Sequence, residues 1–287
     1  MEGGGIKGYC YPWAMKELQD RGVIDIADAK GWAGTSAGAI TAGLFAVGYT
    51  PDELIEILGV TDFGSFKAGG WMMPFRLIFR QGAYSVSVFR KWYKDLLKAK
   101  TGNSLVTFKD VPTLKVYGTN LTLGKVQEFS VYETPNMPIE FAVTISMDIP
   151  GFFQGIKWNG YQMCDGGVVK NFPIDAFDDF GRVIGRNSET LGFRVDSPSE
   201  IRHEPKKMSN VISRLMAVVA FSMDFANRSY LEPEDKDRTI IIESGGIPTT
   251  KFSLAVTEMQ TLRDNAEFAV GKFLVKNTVK GVGKKDG

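Results

Sequence analysis

The sequence predicts an α/β fold with a mostly parallel sheet. Three observations carry that expectation. Strand-like and helix-like stretches alternate along the chain, the pattern that buries a parallel sheet under helices. One stretch, Lys30 to Val47, reads as strand, tight glycine-serine turn and helix in immediate succession. No repeat, low-complexity tract or linker divides the 287 residues, so one domain over 1–287 is expected.

Taken in order, the chain opens on a glycine turn, Gly3 to Gly8, followed by a helix over 9–21. Pro12 falls in its first turn, where the missing N–H costs nothing, and Gly22 stops it. Lys30–Ala33 reads as a short buried strand, and Ala37–Val47 as a small-residue helix ended by Gly48. Thr50-Pro51-Asp52-Glu53 starts the next helix with a capping box and a proline at its first position. Residues 61–84 are irregular and apolar. Phe89, Trp92, Tyr93, Leu96 and Leu97 recur at helical spacing ahead of Gly102. Leu114–Asn120 and Val126–Val131 read as strands joined at Gly124, and 138–147 as a helix broken by Pro150-Gly151. Phe152–Trp158 and Tyr161–Cys164 flank Asn159-Gly160, a hairpin signal. Leu191–Asp196 and Thr239–Glu243 read as strands. Residues 208–230 and roughly 255–277 read as helices, and 197–207 as a polar loop.

Composition narrows the function classes. A net charge of +1 gives no electrostatic case for nucleic acid. Two cysteines, Cys10 and Cys164, point to a reducing compartment rather than a disulfide framework. One histidine, His203, makes a zinc site of ordinary ligands a poor fit, and no cofactor or metal is expected. No apolar run reaches membrane-spanning length and no leader pattern opens the chain. This fits a cytoplasmic protein that visits membranes peripherally, or one that leaves the cell by a route needing no leader.

The chemistry centres on Gly34-Thr35-Ser36-Ala37-Gly38, a G-x-S-x-G turn. Small residues at Gly34, Ala37 and Gly38 let the backbone bend sharply and push the Ser36 hydroxyl outward, at a helix N-terminus that favours a developing anion. A serine nucleophile needs a base. His203 lies in Arg202-His203-Glu204-Pro205-Lys206-Lys207, a solvated loop, although the order Ser36, Asp165, His203 matches a Ser-Asp-His triad. The alternative is Asp165 acting directly on Ser36. It ends a hairpin strand and precedes Gly166 and Gly167, so its carboxylate is uncrowded. With a reference pKa of ~3.9, an aspartate works as a base only in an unusual environment.

Gly3-Gly4-Gly5-Ile6-Lys7-Gly8, Gly34-Thr35-Ser36-Ala37-Gly38 and Asp165-Gly166-Gly167 resemble, in order and spacing, the patatin-like phospholipase family. Ile145–Phe153 and Asp165–Pro173 extend the resemblance, which covers most of residues 2–180. It implies a three-layer α/β/α fold, a Ser36–Asp165 dyad without histidine, and lipid acyl hydrolysis of phospholipase A type. It also implies an oxyanion hole built from Gly3 to Gly8 (Gly3, Gly4, Gly5, Ile6, Lys7, Gly8) around the N–H groups of Gly4 and Gly5. Lys7 takes the family's basic position, to support the turn or meet a phosphate. The substrate implied is a phospholipid or other lipid ester; the oligomeric state is left open. The family places a strand immediately before the glycine turn, so either residues ahead of Met1 or another segment is expected to support it. Competing expectations are a non-catalytic relative that binds lipid or protein, and the triad esterase using His203. The aromatic, methionine and arginine residues of 69–84 suit a lid or membrane-facing patch, or else cap the core.

Overall fold

A computed structural model describes residues 1–67, 82–179, 185–196, 232–249 and 251–282, with a few helical positions between 214 and 222. Most of the 69–84 patch and the loop with His203 lie outside the described residues.

The spine of the molecule is β3 (Thr113–Asn120), a strand buried along most of its length. Along one edge its first half pairs in parallel with β1 (Gly31–Thr35), and its last three residues pair antiparallel with β7 (Tyr161–Asp165). Its other edge pairs antiparallel with β4 (Lys125–Ser130) across the turn containing Gly124. β6 (Ile156–Trp158) pairs with β7 through the turn at Asn159 and Gly160, both at positive φ as a tight hairpin requires. β2 (Gly82–Tyr84) and β5 (Gly151–Phe153) form a small parallel pair, so the stretch read as one strand over Phe152–Trp158 is divided in two. β8 (Gly192–Asp196) and β9 (Thr239–Glu243) pair in parallel. The α/β class stands, but the sheet is mixed rather than mostly parallel. A hairpin lays β4 antiparallel on the spine, and β7 joins its other edge antiparallel through long-range pairing.

Among the described residues the helices follow the sequence signals closely; most of the helix expected over 208–230 lies outside them. α1 (Cys10–Asp20) continues a 3-10 turn over Gly5–Tyr9. α2 (Ala37–Ala46) follows the serine turn and packs on β1 and β3, with Trp32 stacked on Phe45 at 4.9 Å. α3 (Pro51–Val60) carries the expected capping box between Thr50 and Glu53. α4 (Ser87–Thr101) buries Phe89, Tyr93 and Leu97 and ends at Gly102 in the left-handed region. It packs on α5 (Ile139–Ser146), which lies on β3 and β7. α6 (Val256–Val282) packs against α1 and β9.

Met1 and Glu2 link the spine sheet to the β8–β9 pair. The Thr35 N–H donates to the Met1 carbonyl, and the Glu2 N–H donates to the Phe193 carbonyl. The Glu2 carboxylate accepts the Val195 N–H at 2.7 Å and faces Arg194. The glycine turn is therefore supported by β8, a segment some 190 residues further along the chain.

Candidate active site

Register on the spine brings the two principal residues together. Thr35, the last residue of β1, lies opposite Tyr117, and Asp165, the last residue of β7, lies opposite the next residue, Gly118. β1 and β7 thus run toward each other along one edge of β3 and end at adjacent positions. Ser36 follows the first and Asp165 closes the second. Nothing local in the sequence specifies that meeting; it is set by pairing between strands more than 40 residues apart.

Ser36 sits at φ 51, ψ −122, a conformation that side-chain-bearing residues rarely adopt. Its carbonyl accepts the Ala39 and Ile40 N–H groups and so starts α2, while its side chain makes no capping bond. Its N–H donates to Ser146 Oγ at 2.9 Å, and Ser146 Oγ donates to the Tyr117 carbonyl at 2.6 Å. The strained turn is thus tied through a buried hydroxyl to the spine strand. Gly34 and Gly38 are required by close approach. A Cβ at Gly34 would strike the Gly38 carbonyl, and one at Gly38 would strike the Met1 carbonyl. Thr35 Oγ1 donates to the Lys170 carbonyl at 3.0 Å, and Ala37 packs on Gly8 of the glycine turn.

Asp165 is fully buried. Its Oδ1 accepts the Gly167 N–H at 2.6 Å and its own N–H donates to the Asp148 carbonyl at 2.8 Å. Burial pushes its pKa up to about 7, against the pull of the Ser36 hydroxyl and the Gly167 N–H. The Ser36 hydroxyl is thus close enough to favour the ionised carboxylate, yet Oδ2 stays outside full hydrogen-bond geometry. The base motif residues Gly166 and Gly167 form a 3-10 turn beside β3, with Gly166 against the Tyr117 carbonyl.

The glycine turn closes the site from a third direction. Gly3 lies against Ser36 Cβ and the Asn171 amide. Gly4 is the N-cap of the 3-10 helix Gly5–Tyr9, whose first N–H groups have no partner within the helix. Gly5, at φ 58, lies under the Thr249 carbonyl, where a Cβ would not fit. Ile6 and Lys7 are buried; burial raises the pKa of the Glu2 carboxyl to about 7 against the pull of Arg194, the Val195 N–H and the Lys7 charge. Lys7 thus sits inside the turn's support.

Three residues of this arrangement carry no role in the sequence reading. Ser146 and Asn171 stand inside motif stretches, but only the long-range pairing shows what they hold. Thr249 has no local signal at all.

A sharp strand-to-helix turn with a strained serine at its apex defines the nucleophile-elbow class of α/β proteins. The comparisons are more specific. The Patatin-like phospholipase family model matches residues 1–178, and the chain belongs to that family. An uncharacterized protein of Acanthamoeba polyphaga mimivirus is 31% identical over 282 residues, covering 96% of this chain and 93% of that one. A probable lipid hydrolase of Invertebrate iridescent virus 6 is 29% identical over 186 residues, 61% of each chain. Among solved structures, VipD from Legionella pneumophila superposes with a TM-score of 0.62 at 18% identity. The match covers 96% of this chain and 66% of VipD, and at that identity it speaks to the fold alone. Among the described residues no helix is long and apolar enough to cross a membrane.

Proposed function

We propose that the protein is a lipid acyl hydrolase in which Ser36 is the nucleophile and Asp165 the base. The observation that carries this reading is the meeting of a strained, uncapped serine with a buried carboxylate whose proton affinity has been raised toward neutrality. Ser36 Oγ attacks the acyl carbonyl while its proton passes to Asp165. The oxyanion is held by N–H groups of the Gly4–Gly5 turn, helped by the helix N-terminus. Collapse expels the alcohol, which takes the proton from Asp165, and leaves the acyl group on Ser36. Water then attacks and gives a proton to Asp165, which passes it to Ser36 Oγ as the bond to the acyl group breaks and free fatty acid departs.

Family membership and the viral lipid-hydrolase relative support a lipid ester as substrate. The test is fatty-acid release from a panel of phospholipids, lysophospholipids and neutral glycerides. Release by the wild type and none by a folded Ser36→Ala protein is expected. No release from any ester, with no labelling of Ser36 by a fluorophosphonate, would instead favour a non-catalytic lipid- or protein-binding relative.

A further inference from the structure

The segment leaving the base strand touches every part of the site. Its Gly167 N–H holds Asp165, and its Lys170 carbonyl holds Thr35 Oγ1. At its end Asn171, 1% exposed, grips the glycine turn on both sides of one residue. The Gly3 N–H donates to the Asn171 carbonyl at 3.1 Å, and Asn171 Nδ2 donates to the Gly3 carbonyl at 2.8 Å.

The second bond has a geometric consequence. All peptide bonds among the described residues are trans, so the carbonyl of Gly3 and the N–H of Gly4 point in opposite directions from one rigid plane. Fixing the carbonyl fixes the N–H. Glycine backbone rotates freely, and a run of three would otherwise spread that N–H over many directions. Gly3 also lies against Ser36 Cβ, so the plane being fixed is the one next to the serine.

We propose that Asn171 is a positioning residue for the reaction: by holding the Gly3 carbonyl it aims the Gly4 N–H at the oxygen of the acyl group attacked by Ser36. This rests on the hydrolase reading above. The Gly3 N–H is already committed to Asn171 and is not the donor; the Gly4 N–H is.

The experiment compares wild type, Asn171→Ala and Asn171→Leu, which keeps the branched shape and has no group to donate. Each is assayed on a short chromogenic carboxylic ester, per active site titrated with fluorophosphonate. Each is also tested for inhibition by an alkyl trifluoromethyl ketone. Ser36 adds to the ketone carbon, and its oxygen becomes the oxyanion. Loss of an aimed donor should lower kcat by about 10²–10³-fold with KM within about threefold. Ketone affinity should fall in proportion to kcat/KM. A merely structural role would lower the melting temperature and the titratable fraction but leave kcat per site and ketone affinity unchanged, which would overturn the proposal.

A measurement on the wild type keeps the test independent of variant folding. In the ketone adduct the Asn171 side-chain amide hydrogens should exchange with solvent slowly. Exchange as fast as that of exposed asparagines would overturn the clamp. If the wild type neither hydrolyses ester nor labels at Ser36, the hydrolase reading falls and the Asn171 role falls with it. If the wild type is active and Asn171→Leu is equal to it, only the Asn171 role falls.

Discussion

Two aspartates are buried side by side in this molecule, and they differ in what faces them. Asp165 has the Gly167 N–H on Oδ1 and feels the Ser36 hydroxyl, and its pKa is held at about 7. Asp148, whose carbonyl accepts the Asp165 N–H, has the Ile156 N–H on Oδ2 at 3.2 Å, while its Oδ1 is buried without a hydrogen bond. Burial pushes its pKa well above the carboxylate range, the Ile156 N–H pulls it back, and the Asp165 charge pushes it up further. Burial alone makes a carboxyl neutral at physiological pH. A hydroxyl and an N–H placed on it return the ionised form to the working range, where a base is useful. In the mechanism proposed above, Asp148 is the structural acid and Asp165 the reactive one.

The largest expected effect that sharpens this contrast is at Asp165. Asp165→Asn keeps the shape and the Gly167 contact but removes the basicity, so kcat/KM should fall about 10³-fold or more. Steady-state kinetics on a folded variant checks it. The same pKa fixes the acid limb of the wild type. Asp165 must be ionised to take the Ser36 proton, so kcat/KM should rise with pH through about 7 and level off above it.

Stability should move the opposite way. A carboxyl whose pKa is raised on folding prefers its neutral form in the folded state. Its stabilising contribution is present below the ordinary aspartate range near ~4 and is lost as pH rises through about 7. Asp165→Asn should therefore melt higher than wild type at pH 8 and no higher at pH 4. Asp148→Asn should share that gain, most strongly in alkaline buffer, while kcat stays within about threefold of wild type, because its side chain meets Ile156 rather than the serine. An inactive, folded Asp148→Asn would erase the contrast between the two acids. The smallest effect is at Ser146. Ser146→Ala strips the acceptor from the buried Ser36 N–H and should cost about 1–3 kcal/mol in denaturant unfolding.

How much of this was readable in advance divides by range. Gly34, Ser36 and Gly38 were legible because a sharp turn restricts residue type locally. The capping box at Thr50 and Glu53 and the Asn159-Gly160 hairpin were legible for the same reason. The mixed sheet was not, since alternation of strands and helices does not encode which edge of β3 each strand takes. The abutment of β1 and β7, the bond from Ser146 to the serine turn and the grip of Asn171 on Gly3 depend on contacts 29 to 168 residues apart along the chain. A motif names residues that belong together; only the register of β3 shows why they meet.

The central claim is that Asp165, rather than a histidine, activates Ser36. The direct measurement is the rate of fluorophosphonate labelling of Ser36 against pH, in wild type, Asp165→Asn and His203→Ala. Wild type and His203→Ala should label alike, with rates rising through about 7, and Asp165→Asn should label at least a hundredfold more slowly above that value. A folded His203→Ala protein that fails to label, beside an Asp165→Asn protein that labels normally, would contradict it.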